Sequence, residues 1–189
     1  MKMTDSEKNL EEIFEEYLLL LQDDQYYEVL YDEDSGGVSA IHQEHRFDKQ
    51  PGPFGVRRGV YELMAIDALR KKGHVVILES ERAPDGVKTP DGKLDGKAMD
   101  IKAIENTGQW TIKNKFHQAT KQKIEILVFY YHLHDLFSIE KIEDGWKRFI
   151  QDIDSQRYEK TIKKVLCVVE GEVVEWIPPK KIKLPEQLY

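Results

Sequence analysis

Three residues able to do chemistry together lie in one short stretch, PDGKLDGKAMDIK, at positions 90–102. They are Asp91, Asp100 and Lys102. A two-residue hairpin turn needs positive φ at both central positions, and Asp-Gly is the pair that tolerates this best. Turning at Asp95-Gly96 sets Leu94 opposite Lys97 and Asp91 opposite Asp100. The aspartates then form a non-hydrogen-bonded pair, with Cα atoms about 4.5 Å apart. Lys102 lies two residues beyond Asp100 and shares its face. The other face carries Leu94, Met99, Ile101 and Ala103, an apolar face interrupted only by Lys97. Pro90 has no N–H to give, so the pairing is expected to fray at that end. Two carboxylates facing each other repel unless something positive sits between them. With a lysine beside them they make a site for a hard cation. Mg²⁺ takes one or two protein carboxylates and completes its shell with phosphate oxygens and water. Such a cation polarises a phosphodiester and acidifies a bound water, while the lysine holds that water or offsets phosphate charge. The plain alternative is a solvated hairpin face.

The elements that must position this hairpin can be read from periodicity. Thr4 and Glu7 have capping-box spacing, and Leu10, Ile13, Phe14, Tyr17, Leu18 and Leu21 follow at helical intervals, giving a helix over about 6–22. An aromatic-rich stretch and a Ser-Gly-Gly turn lead to a short strand, GVSAIH, and a Pro/Gly loop. The pattern then alternates: a helix from Gly59 ended by Gly73, the strand HVVILES, the hairpin, a helix in TGQWTIKNKFHQATKQK, the strand IEILVFYY, a helix capped by Ser138, and a closing hairpin around Gly171. That order predicts an α/β (α+β) fold, a central mixed sheet flanked by helices.

At 189 residues the chain has the length of one domain. Residues 1–34 hold 12 acidic and 2 basic side chains, against 23 and 26 in residues 35–189. An acidic helical segment, 1–34, is therefore expected ahead of a mildly basic α/β domain, 35–189, which permits a nucleic-acid substrate. No apolar run is long enough to span a bilayer, so no membrane partner is expected. The single cysteine, Cys167, lies in an apolar strand and reads as a buried thiol in a reducing, cytoplasmic setting.

The hairpin resembles the PD-(D/E)xK nuclease signature, with Pro90-Asp91 followed by Asp100, Ile101 and Lys102. GVYELMAIDALRKKGHVVILESE, the hairpin and NKFHQATKQK together are similar to the C-terminal toxin domains of contact-dependent growth inhibition proteins and to the ends of phage minor head proteins. The likeness covers about residues 55–130. It implies a restriction-endonuclease-like core and a metal-dependent nuclease acting on RNA (tRNA) ahead of DNA, in the cytoplasm, after delivery within a larger protein. It further implies a neutralising immunity protein as partner. Asp91 and Asp100 would bind a divalent cation, Mg²⁺ first, with Mn²⁺ or Zn²⁺ as alternatives. Lys102 would be the catalytic lysine. Glu62, in GVYELM, matches a further active-site and metal-binding glutamate on the first helix; otherwise it is a solvated helix charge. Asp stands at position 100 where many members carry Glu.

Secondary candidates surround this set. Lys113, His117 and Lys121 recur at i, i+4 and i+8 on the helix after the hairpin, with Gln118 and Gln122 on the neighbouring stripe; these could meet substrate phosphates. Arg57 and Arg58 precede the helix of Glu62 and could clamp a backbone. His42 and His45, with Glu44 between, lack the further ligands of a zinc site, as do His132, His134 and Asp135. Two other classes of function stay open: a non-catalytic nucleic-acid-binding or phage-structural module on a decayed nuclease fold, and an antidote-like binder of a basic protein.

Overall fold

The predicted alternation of helix and strand resolves into one mixed sheet. The computed structural model describes residues 5–82, 89–152 and 161–179. In chain order the elements are α1 (Asp5–Gln22), β1 (Tyr26–Tyr31), β2 (Val38–His42), α2 (Arg58–Lys71), β3 (Val75–Leu78), β4 (Gly92–Leu94), β5 (Lys97–Ile104), α3 (Thr111–Thr120), β6 (Ile126–Tyr131), α4 (Ile139–Asp152), β7 (Lys164–Val169) and β8 (Glu172–Trp176). The strands lie side by side in sequence order, β1 to β8. Parallel pairs join β2 to β3, β5 to β6 and β6 to β7, each across a helical crossover; the other neighbours are antiparallel. The expected mixed sheet flanked by helices is therefore the fold.

β6, ILVFYY, is buried on both faces, as a continuous apolar run in the middle of a covered sheet must be. Its alternate residues feed two cores. Val128 and Tyr130 join Met99, Ile101, Tyr61 and Leu69 under α2. Phe129 and Tyr131 join Ile104, Phe116 and Trp146 under α3 and α4. Ser138 Oγ accepts the amide of Lys141 at 3.2 Å, the expected cap of α4. The Thr4 cap expected for α1 lies outside the described residues. The aromatic-rich stretch forms β1. It pairs with β2, so the boundary expected at residue 34 falls between two bonded strands. Cys167 is buried in β7, and burial pushes its thiol up to about 12. No helix among the described residues is long and apolar enough to cross a membrane.

What prepares the site is a mismatch of strand lengths. β4 pairs with β5 only through Gly92–Met99, Lys93–Ala98 and Leu94–Lys97, the register set by the Asp95-Gly96 turn, where both residues have positive φ. β5 runs on to Ile104. From Asp100 onward its β4-side edge has no strand partner among the described residues. The sheet opens there, with α2 over one face and α3 over the other.

Candidate active site

At the mouth of this opening the ladder is completed by a side chain. Continued pairing would bring the Ile101 amide to Pro90. Instead, Asp91 Oδ2 accepts that amide at 2.7 Å. The backbone of Asp91 is fixed from the other side, its carbonyl accepting the Glu79 amide at 3.0 Å. Gly92 makes this approach possible, since a Cβ there would stand 2.0 Å from the Ile77 carbonyl oxygen. Asp100, opposite, has a side chain with no solvent exposure, and neither of its oxygens has a well-formed hydrogen bond. The nearest cation is Lys102 Nζ, 2.6 Å from Asp100 Oδ2.

Charge in this dry setting is displaced from its ordinary behaviour. Burial first, then the charge of Asp91, pushes the Asp100 carboxyl up to about 7. Burial also raises Asp91, against the pull of Lys102 and the Ile101 amide. Burial alone would lower Lys102, but the charges of Asp100 and Asp91 outweigh it and hold the lysine above its usual value. The centre is thus two carboxyls that burial makes costly to ionise, with an ammonium beside them.

A pocket of about 310 Å³ opens above Lys102, between the first turns of α2 and the inner face of α3. Arg58, Tyr61 and Glu62 line it from α2, Lys115 and Gln118 from α3, and Glu105 from beyond β5. Arg58 is held by a two-pronged bond to Glu105, at 2.7 and 2.9 Å. Lys115 forms no ion pair among the described residues. Burial, followed by the neighbouring charge of Lys102, lowers its pKa, with Glu105 opposing.

The structure brings Asp91, Asp100, Lys102, Glu62, Arg58 and Gln118 into one neighbourhood. It does not bring all the predicted residues there. Lys113 and His117 turn toward α4, where both meet Asp152. Lys121 is exposed on the same stripe. Arg57 lines a different cleft, beyond Asp48. The residues of α3 that meet the opening are Lys115 and Gln118. From 113 to 115 is about 200° around a helix, so the 113–117–121 stripe faces away from the pocket that Lys115 and Gln118 line. Lys115 had no motif to mark it.

Glu62 faces the pocket, but its carboxylate is engaged. The fully buried His45 places Nε2 3.3 Å from Glu62 Oε2 and Nδ1 3.1 Å from the Glu79 carbonyl oxygen. Both partners offer acceptor oxygens, which favours the protonated ring. Burial would lower the imidazole pKa, but the bonds to Glu62 and Glu79 and the charges of Glu62 and Glu81 raise it. Among the described residues no three His, Cys, Asp or Glu side chains converge tightly enough to hold a metal ion. The fit to a cation therefore rests on Asp91 and Asp100. A buried oxygen-only pair, in which neither Asp100 oxygen has a hydrogen-bond partner and Asp91 accepts one amide, matches Mg²⁺ or Mn²⁺, which complete their shells with water and phosphate. It lacks the nitrogen or sulfur ligands typical of zinc.

A scan against protein-family models and a search of curated proteins found no match. Among solved structures, the chain is similar to a chain of the CdiA-CT/CdiI toxin and immunity complex from Burkholderia pseudomallei. The two share 18% identity and a TM-score of 0.45, over 74% of this chain and 99% of that one.

Proposed function

We propose that this chain hydrolyses phosphodiester bonds in nucleic acid with the help of a divalent cation held by Asp91 and Asp100. The observation that carries this reading is the buried carboxylates of Asp91 and Asp100, the latter without a well-formed hydrogen bond and touching Lys102, under a pocket edged by Arg58 and Lys115. A cation bound there supplies a Lewis acid for the phosphoryl oxygen and a more acidic water. The protein does the rest. Lys102 stays protonated, so it acts as a donor that orients the incoming group and neutralises charge on the phosphorus oxygens. Lys115, without an ion partner, offers a second positive charge to the phosphate. The Arg58–Glu105 bond fixes one wall, and His45 holds Glu62 at the rim, where it supports the charge balance of the centre.

The hairpin motif resemblance orders RNA, tRNA in particular, ahead of DNA, and extends the reading to a toxin restrained by an immunity protein. The test is cleavage of labelled total tRNA, with plasmid DNA in parallel, in Mg²⁺, Mn²⁺ or EDTA, by wild type and Lys102→Ala. The expected result is metal-dependent cutting that leaves 5′-phosphate ends and falls about a thousandfold in the variant. A 2′,3′-cyclic phosphate product would mean attack by the ribose hydroxyl and would end the hydrolytic reading. A folded wild type that binds either nucleic acid but cuts neither, in any metal, is the non-catalytic module instead.

A further inference from the structure

A second cleft is larger than the pocket over Lys102. It lies beside it, has a volume of about 730 Å³, and shares Asp48 as a common wall. The size falls within the roughly 300–1,000 Å³ of small-ligand sites. Its inner surface is apolar, formed by Phe47, Val60 and Leu63, and its rim carries Arg46, Lys49 and Arg57. None of these three cations has an ion pair among the described residues. The one acid in the lining, Asp48, is exposed and accepts the Gln50 amide at 2.8 Å.

The cleft is built rather than incidental. The segment 47–50 is strapped to the start of α2, the Gly59 amide bonding to the Asp48 carbonyl at 2.9 Å and the Arg58 amide to the Gln50 carbonyl at 3.1 Å. Gly59 permits this contact, because a Cβ there would meet Phe47 Cβ at 2.6 Å. These straps use up the first amides of α2, so positive charge for an anion must come from the arginines and the lysine. Consecutive residues of α2 divide between the two cavities: Arg58, Tyr61 and Glu62 face the pocket over Lys102, while Gly59, Val60 and Leu63 face the cleft. A chain with a charged backbone and flat apolar side groups could therefore engage both at once.

We propose that this cleft holds the nucleotide next to the scissile phosphate, its base flipped onto Phe47, Val60 and Leu63 and its backbone on Arg46, Lys49 and Arg57. This deepens the nuclease reading and rests on it. A base on such a surface is sequence-tolerant but must be unstacked, which favours loops and single strands.

The test measures binding of a fluorescent RNA stem-loop in EDTA, with each loop nucleotide in turn made abasic, by wild type, Val60→Glu and Arg57→Ala; Lys147→Glu on α4 controls for charge alone. Val60 is exposed, so its variant should keep the wild-type melting curve. One abasic position should weaken wild-type binding about tenfold. Val60→Glu should bind about tenfold more weakly and lose sensitivity to that position. Arg57→Ala should weaken binding while keeping the sensitivity. Equal binding of all abasic probes by wild type, or unchanged sensitivity in folded Val60→Glu, overturns the proposal. Because no metal is present, binding with a base-sensitive position but without cutting elsewhere removes hydrolysis and keeps the cleft. Cutting with no sensitive position removes the cleft alone, and no binding at all removes both.

Discussion

Lys102 and Lys113 each stand against an aspartate, on the two sides of α3, and the pairs behave in opposite ways. Asp100 has no exposed surface and its carboxyl is pushed up to about 7. Asp152 is half exposed, and the hydrogen bond from Lys113 draws its carboxyl below the ordinary range. The residue types are the same; burial first, and then the charge of Asp91, makes the difference. In water an ion pair mainly adjusts two surface charges. In the dry gap left by β4, the same pairing holds a carboxylate that is costly to ionise, and that cost is what the proposed cation would relieve.

The sharpest way to break this contrast is to remove each lysine. Lys102→Ala is expected to cost about a thousandfold in cleavage, whereas Lys113→Ala should stay within about twofold of wild type, measured as kcat/KM on tRNA. Equal losses would mean that burial is not what distinguishes the pairs.

Stability gives the next largest difference. Asp100 keeps in the folded state a proton that the unfolded chain would have released. Unfolding in the window between about pH 4 and pH 7 therefore sheds a proton, and the metal-free protein should lose stability as pH rises through it. Asp100→Asn should flatten that dependence and stabilise the metal-free protein at pH 8 by on the order of 2 kcal/mol, read from urea unfolding in EDTA. Asp152→Asn should leave the urea midpoint unchanged. A destabilised Asp100→Asn would show that the carboxylate is well satisfied as it stands.

The smallest effect separates the two stripes of α3. Lys115→Ala should weaken RNA binding about tenfold and lower the slope of log K against log salt by about one, the loss of one phosphate contact. Lys121→Ala should leave the slope where it was. The reverse result would return the substrate path to the stripe chosen by spacing.

What could be read in advance follows from the range of the interactions. The hairpin register was legible because an Asp-Gly turn and an apolar alternation are both local, and Pro90 marked where pairing would stop. β1 was hidden because its pairing with β2 shifts register between Tyr27 and Leu30, and Glu28 takes a positive φ there, breaking the two-residue period. The face of α3 that lines the pocket was hidden for a longer-range reason. Its rotation is set by α4, where Gly145 lets Ile112 come so close that a Cβ would meet it at 2.5 Å. His45 was visible only as one of two histidines in a polar loop. Its buried bond to Glu62 joins residues 17 apart that no periodicity connects.

The sheet's strand order has a consequence for how the molecule is made. Each strand's neighbour is the one synthesised just before it, from β1 through β8. As the chain leaves the ribosome, no strand has to wait for a partner that does not yet exist, and none has to be inserted between two already paired. Every residue of the proposed centre and its cleft lies between positions 45 and 118. The parts of the site are therefore all present before β6, β7 and β8 are added. The last strands act as a buttress, raised after the working end of the molecule has been laid down.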